Sequence, residues 1–195
     1  ARPGQPAYWL VTVDADPRGG ESSGEDTLRL ALRDAQLRLR QLDRSDATTG
    51  LANRQSFLEV VQRDWAIASR EQRRISVIVF EVDAFDRYRD LYGRHAADSC
   101  LRKVAHAING SLRRGGDVAA RLADNRFAVL VGGSEEAQVR QFAEQIARKV
   151  RHLAIHHPRS PAGRYLTVSV GVGSEVPPGG AGESTLLQKA EAVHK

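Results

Sequence analysis

The chain has 195 residues, 41% of them apolar and 27% charged, with one cysteine, no methionine and a formal net charge of +5. That balance fits one globular domain with an appendage and excludes a fibrous or disordered chain, while apolar runs such as 77–80 and 127–131 are far too short to span a bilayer. A lone Cys100 excludes an internal disulfide and points to a reducing cytoplasm; the basic balance permits an anionic partner.

Residues 6–13, PAYWLVTV, read as a β-rich run, and the turn-rich stretch DPRGGESSGED after them reads as a linker. A lone strand needs a sheet, so residues 1–26 are expected to be the end of a preceding domain and its linker. Their lead into a helix resembles the exit of a PAS sensor domain. A start at Ala1 without any methionine is likewise what a piece of a longer protein would show.

In 27–45, Leu28, Leu32, Ala35, Leu39 and Leu42 are spaced four, three, four and three, the 3.5-residue period of a coiled-coil seam. Two readings stay open: a signalling helix that dimerises in parallel, or an amphipathic helix packed on its own domain.

Beyond it, DATTGLANRQSF (46–57) is a turn leading through Asn53, a good N-cap, into a helix expected to run to about residue 70. Phe57 and Trp65 share one face of that helix and read as core. Residues 74–83 are nearly continuous in apolar character, as in a strand covered on both faces. Helices are expected at 85–91 and 96–113, with Cys100 as a small buried hydrophobe, then short strands at 118–122 and 127–131. A helix at 134–153, a strand at 164–173 and a final helix cut short complete the order. His156 and His157 beside Pro158 read as a polar loop without a third ligand at zinc spacing. Scattered arginines, with no aromatic RNA-binding signature and no basic helix, argue against nucleic acid. The element order implies a three-layer α/β sandwich with a central mixed sheet flanked by helices.

Four segments together resemble the GGDEF domains, which make cyclic di-GMP from two GTP molecules on a nucleotidyl cyclase palm-like fold. DATTGLANRQSF is similar to the family's D-x-L-T-G-L-x-N-R-x-x-F, and EVDAFDRYRDLYGRHAAD (81–98) to its D-x-D-x-F-K-x-x-N-D-x-x-G-H-x-x-G-D. TVSVGVG (167–173) is similar to its last S-x-G strand. Anchoring the hairpin on Arg121, Leu122 and Phe127 puts Ala123, Asp124, Asn125, Arg126 and Phe127 where the family carries its naming motif, so the motif reads ADNRF. The resemblance covers the middle of a 46–195 domain.

What the resemblance implies is a vestigial site. Family enzymes hold Mg²⁺ through the acid ending the first strand, the next backbone carbonyl and the hairpin's third-position acid. Those positions are Glu81, Val82 and Asn125 here, and the neutral amide of Asn125 with the cation of Arg126 should weaken metal binding to little or nothing. Asp124 brings bulk and like charge to where a glycine lets backbone approach the triphosphate. Of the guanine-binding pair, Asp98 is retained whereas Arg89 stands for an asparagine. Asp86 and Arg94 also depart from the family's Lys and His. The family's phosphate-binding Lys and Arg of the last helix would fall beyond Lys195.

Residues 114–117 read RGGD. Family enzymes often carry R-x-x-D at this distance before the hairpin, an inhibitory site for cyclic di-GMP. An Arg fork can pair with guanine O6 and N7 or with phosphate, and an Asp can accept from guanine N1 and N2. The alternative is local: Arg113 and Arg114 finish a helix, Gly115 stops it, and Asp117 begins a turn. The leading expectation is a catalytically degenerate domain that needs no cofactor and binds cyclic di-GMP at Arg114 and Asp117, within a protein carrying an upstream sensor. The alternatives are a weak cyclase that takes GTP and uses Glu81, the Val82 carbonyl and Asp98 with Asn125 as a poor metal ligand, and a ligand-free module partnering a downstream phosphodiesterase domain; Arg89, Asp98 and Asp124 are the vestigial nucleotide-binding positions.

Overall fold

The computed structural model describes residues 29–33, 44–112, 114–178 and 183–192. The chain divides into a unit ending at Leu42 and a larger one beginning at Asp43. In the first, residues 29–33 are helical. The strand and linker expected at 6–26, and most of the heptad helix, lie outside the described residues.

The second unit runs α1 (Arg54–Glu71), β1 (Ile75–Val82), α2 (Phe85–Asn109), β2 (Val118–Ala123), β3 (Arg126–Gly132), α3 (Glu136–His152), β4 (Val168–Glu175) and α4 (Glu183–Ala192). Sheet order is β2-β3-β1-β4, and every pairing between these strands is antiparallel. The sheet is therefore not mixed as expected; the parallel pairing among the described residues is the isolated Ala52–Ala120 bridge. The reason lies in the crossovers. The α2 and α3 connections each skip one position, so β1 and β2, and β3 and β4, run parallel without being neighbours, and an antiparallel strand fills each gap. This is the split βαβ arrangement of ferredoxin-like folds.

β1 is covered on both faces because its side chains alternate between two apolar layers. Ile78, Phe80 and Val82 join one core with Leu101, Val104, Ile108, Ile146 and Val150 of α2 and α3. Ile75, Val77 and Val79 join the other with Phe57, Val61 and Trp65 of α1 and Leu186 and Ala190 of α4. Phe57 and Trp65 are thus core residues, as their spacing implies. α4 reaches the sheet through Gly173: a Cβ there would lie 2.4 Å from the Leu186 carbonyl oxygen.

Local signals account for most boundaries. Asn53 caps α1, its side chain accepting from the Ser56 N–H at 2.8 Å. The two helices expected at 85–113 form one element broken at Gly93, which has non-helical backbone (φ 78°, ψ 173°), and it stops at Asn109 with Gly110 as its cap. His157 is fully buried rather than part of a polar loop. Its Nε2 lies 3.1 Å from the Ala84 carbonyl oxygen, and its ring meets Tyr88 edge-on at 5.3 Å. That contact pins the β1–α2 turn, where Ala84 takes a left-handed backbone (φ 51°).

The turn before α1 is tied to the hairpin by a part-buried ion pair. Asp46 accepts from the Thr49 N–H and hydroxyl at 2.9 and 2.7 Å and from Arg121 Nη1 at 3.1 Å. Burial alone would raise the Asp46 pKa, but the Thr49 and Arg121 hydrogen bonds outweigh it and hold the carboxyl below its ordinary 3.8.

Two measurements follow. Asp46→Ala is expected to lower the unfolding free energy by about 2 kcal/mol in urea titration. Because the folded pKa is depressed, this stabilisation is complete above the unfolded value and lost as pH falls through the folded one, so the gap between Asp46→Ala and the parent should narrow in acid. Burial pushes the Cys100 thiol up to about 12. Alkylation of native protein at pH 8 should therefore be slow and should accelerate only with unfolding.

Candidate functional site

β1 presents a cluster of polar groups at each end. At its C-terminal end the tight hairpin between β2 and β3 brings Asp124 and Asn125 beside Glu81 and Val82. Arg121 holds the turn from outside, donating from Nε to the Ala123 carbonyl at 3.2 Å and from Nη2 to the Asp124 carbonyl at 2.8 Å. Ladder register puts Arg126 opposite Glu81, and Arg126 Nε donates to Glu81 Oε2 at 2.8 Å. Arg126 Nη1 also lies 3.8 Å from Glu191 Oε1 on α4. Beside this pair, Asn125 and Val82 bond reciprocally. The Val82 N–H donates to the Asn125 carbonyl at 2.9 Å, and Asn125 Nδ2 donates to the Val82 carbonyl at 3.2 Å.

All three positions that the resemblance assigns to a metal are thus brought together, and each already has a protein partner. Among the described residues, no group of three or more His, Cys, Asp or Glu side chains is placed to hold a metal. Asp83, which sequence reasoning left without a role, accepts from the Thr167 and Ser169 hydroxyls at 2.5 and 2.6 Å. The signal for it was the alternation of hydroxyl residues in TVSVGVG, with Thr167 just before β4 and Ser169 within it, two positions apart and so on one side of the extended chain.

The two positions that the resemblance assigns to guanine, Arg89 and Asp98, each have a partner on their own helix. Arg89 donates to Asp86 Oδ1 at 2.6 Å and lies 3.8 Å from Asp124 Oδ2. Asp98 sits beyond the break at Gly93 and faces Arg94 at 4.0 Å. Among the described residues no hydrogen bond or ion pair joins Arg89 to Asp98. The substituted Arg89 instead collects the two acids, Asp86 and Asp124, that the family's pattern lacks.

The other end of β1 lies seven residues away, roughly 23 Å along an extended strand. Here Ile75 pairs with Gly132, and the loop from α2 returns to start β2. Arg114 lies in that loop, five positions past the helix end at Asn109, so it does not cap the helix. Its Nη1 donates to the Gly132 carbonyl at 3.1 Å and the Ser134 hydroxyl at 2.8 Å. Both bonds use Nη1, which leaves the Nε–Nη2 edge unpartnered among the described residues. Asp117 closes a turn with it: the Asp117 N–H donates to the Arg114 carbonyl at 3.1 Å, and Asp117 Oδ2 receives the Arg114 N–H at 3.4 Å. Arg114 and Asp117 line a cavity of about 560 Å³ on the α1 side of the sheet and another of about 250 Å³ against α3. A free guanidinium edge and a carboxylate facing a cavity can meet a guanine or a phosphate.

Helices long and apolar enough to cross a membrane are absent among the described residues. The family model "Diguanylate cyclase, GGDEF domain" matches residues 44–194. Among curated proteins, the chain is 29% identical over 180 residues to the cyclic di-GMP phosphodiesterase NbdA of Pseudomonas aeruginosa, covering 91% of this chain but 22% of that protein. It is 26% identical over 146 residues to the diguanylate cyclase DosC of Escherichia coli, covering 75% of this chain and 31% of that one. The chain thus spans under a third of the length of either relative. Among solved structures, the GGDEF domain of DgcB from Caulobacter crescentus in complex with c-di-GMP superposes with a TM-score of 0.68 at 26% identity, over 76% of this chain and 86% of that one. With the family model spanning most of the chain and the architecture of a solved GGDEF domain reproduced, this chain belongs to the diguanylate cyclase GGDEF family.

Proposed function

We propose that this domain acts in cyclic di-GMP signalling as a regulatory module that binds the dinucleotide through Arg114 and Asp117 and does not synthesise it. The observation that carries the reading is the internal occupation of the metal positions. Magnesium demands hard, preferably anionic oxygens in tight octahedral geometry. Glu81 instead faces the Arg126 guanidinium, and the Val82 carbonyl accepts from the Asn125 amide. The third ligand position is that neutral amide, and a fixed positive charge stands beside it. These residues do not fit a divalent cation, and phosphoryl transfer depends on metal and donors to neutralise charge developing in the transition state.

The receptor half of the proposal is supported by the contrast between the two ends of β1. At the hairpin end the polar groups are engaged with one another, down to Arg89 with Asp86 and Asp124. At the other end Arg114 keeps an open donor edge beside Asp117 and a cavity. The solved DgcB domain is a complex with c-di-GMP, which supports the ligand class. In the whole protein, the segment 27–44 would carry signals between this domain and an upstream sensor within a homodimer, with a phosphodiesterase domain as a further partner; the similarity to the cyclic di-GMP phosphodiesterase NbdA supports that last partner.

Calorimetric titration of cyclic di-GMP into the chain should give saturable binding that Arg114→Ala abolishes, while GTP with Mg²⁺ yields no cyclic product. Binding that survives Arg114→Ala would move the ligand to the hairpin end. The converse experiment restores acids. Asn125→Asp combined with Arg126→Glu should create Mn²⁺ affinity, detectable as paramagnetic broadening of Glu81 and Val82 amide signals, that the parent protein lacks.

A further inference from the structure

Residues 145–174 contain five Lys and Arg and no Asp or Glu, so this one stretch carries a charge equal to the net +5 of the whole chain. It runs from the second half of α3 through the α3–β4 loop into β4. The loop is built to hold one shape. His157 and Leu166 anchor it in the interior, and the backbone closes between them: the His157 N–H donates to the Arg164 carbonyl at 2.8 Å, and the Leu166 N–H to the Ile155 carbonyl at 2.9 Å. Pro158 and Pro161 stiffen the tip, and Gly163 supplies a φ of 131° on the return.

Those two bonds flank the antiparallel pair His156–Tyr165, which puts both side chains on one side of the loop. Tyr92 of α2 joins them, its hydroxyl 3.2 Å from His156 Nδ1. Tyr92 and Tyr165 are 41% and 39% exposed, so a ridge of rings faces solvent across the two elements. Arg148, Arg151, Arg159 and Arg164 are also exposed, and none of them makes an ion pair among the described residues. The adjoining α2 does not neutralise them. Its Asp86 and Asp98 are met by Arg89 and Arg94, and Asp90 is a single charge.

We propose that the α3–β4 loop, together with Tyr92, is a docking surface for a protein partner and takes an acidic segment with apolar side chains among its carboxylates. Charge complementarity selects the acids, since unpaired guanidinium forks match carboxylates in bidentate pairs. The exposed rings select the apolar side chains. Tyr and Arg are the residues that dominate binding at protein interfaces, where Lys is depleted, and the one lysine of this stretch, Lys149, is held by the Ser111 hydroxyl at 3.0 Å. A loop already fixed by buried anchors and prolines loses little entropy on docking. A single-stranded nucleic acid would instead stack on open ring faces, whereas the Tyr92 ring already packs on Tyr88 at 4.8 Å. The surface is separate from Arg114 and Asp117: the His157 contact with Ala84 sets it at the opposite end of β1.

The test is fluorescence anisotropy of a short labelled peptide in which glutamates alternate with leucines, titrated with the 195-residue chain and its variants, each checked by thermal unfolding. Arg159→Ala combined with Arg164→Ala is expected to weaken binding about tenfold or more, as for two lost charge-assisted hydrogen bonds, and Tyr165→Ala about fivefold. Arg70→Ala is the control for lost charge: Arg70 is exposed on α1, in the other helical layer, and its loss should leave affinity within about twofold. Amide signals of 155–166 should shift on binding in the parent. No binding by the parent, or an equal loss in Arg70→Ala, would overturn the proposal. So would polyglutamate binding as tightly as the mixed peptide, because the ridge would then contribute nothing. Displacement of the peptide by oligothymidylate or by phosphatidylglycerol vesicles at lower concentration than by unlabelled peptide would overturn it in favour of a nucleic acid or a lipid surface.

Discussion

The double-sided burial of β1 is the constraint on which the rest of the domain depends. Ile75, Val77 and Val79 face one helical layer and Ile78, Phe80 and Val82 the other, all nearly inaccessible to solvent. A one-residue slip in register would exchange these two sets and move Glu81 from the α4 side of the sheet to the α2 side, so the register is strongly specified. The consequence is a fixed frame. One end of the strand presents Glu81 and Val82 to the hairpin, and the other pairs Ile75 with Gly132 beside Arg114.

The two ends differ in chemistry within this one frame. At the hairpin end, Arg126 occupies a cross-strand position where its charge is met by Glu81 and approached by Glu191, and Asn125 offers both an acceptor and a donor to Val82. Without Arg126 and Asn125, the Glu81 carboxylate and the Val82 carbonyl would lose these partners. The two side chains satisfy polar groups that the fold leaves partly buried at this end. The partly exposed Arg126–Glu81 pair is worth no more than about 1 kcal/mol by itself, so its importance is geometric rather than stabilising. Arg121 reinforces the geometry by clamping the hairpin carbonyls while it pairs with Asp46.

Much of this was legible in the sequence. Near-continuous apolar character over 74–83, the N-cap at Asn53 and the apolar face of Phe57 and Trp65 each have a local physical cause that survives folding. The hairpin was legible too, because Arg121, Leu122 and Phe127 bracket a two-residue connection. Other features were not. His157 sits beside His156 and Pro158 in a run that reads as polar, yet its ring is fully buried against Tyr88 and Ala84. The end of α2 at Asn109 rather than near Arg113 was hidden because several good helix formers follow Gly110; only the return path to β2 stops the helix there.

The sequence by itself determined the element order, the two-faced character of β1 and the identity of the groups at each end of it, since periodicity and residue chemistry are local properties. Only the tertiary structure decided which of those groups are spent on one another. The antiparallel sheet follows from crossovers that skip a position. The pairing of Arg126 with Glu81 follows from cross-strand register, and the meeting of Arg114 with Gly132 from the path of the α2–β2 loop past the end of β3. Each depends on residues brought together across the sheet or between layers, and distances of that kind are set by packing rather than by spacing along the chain.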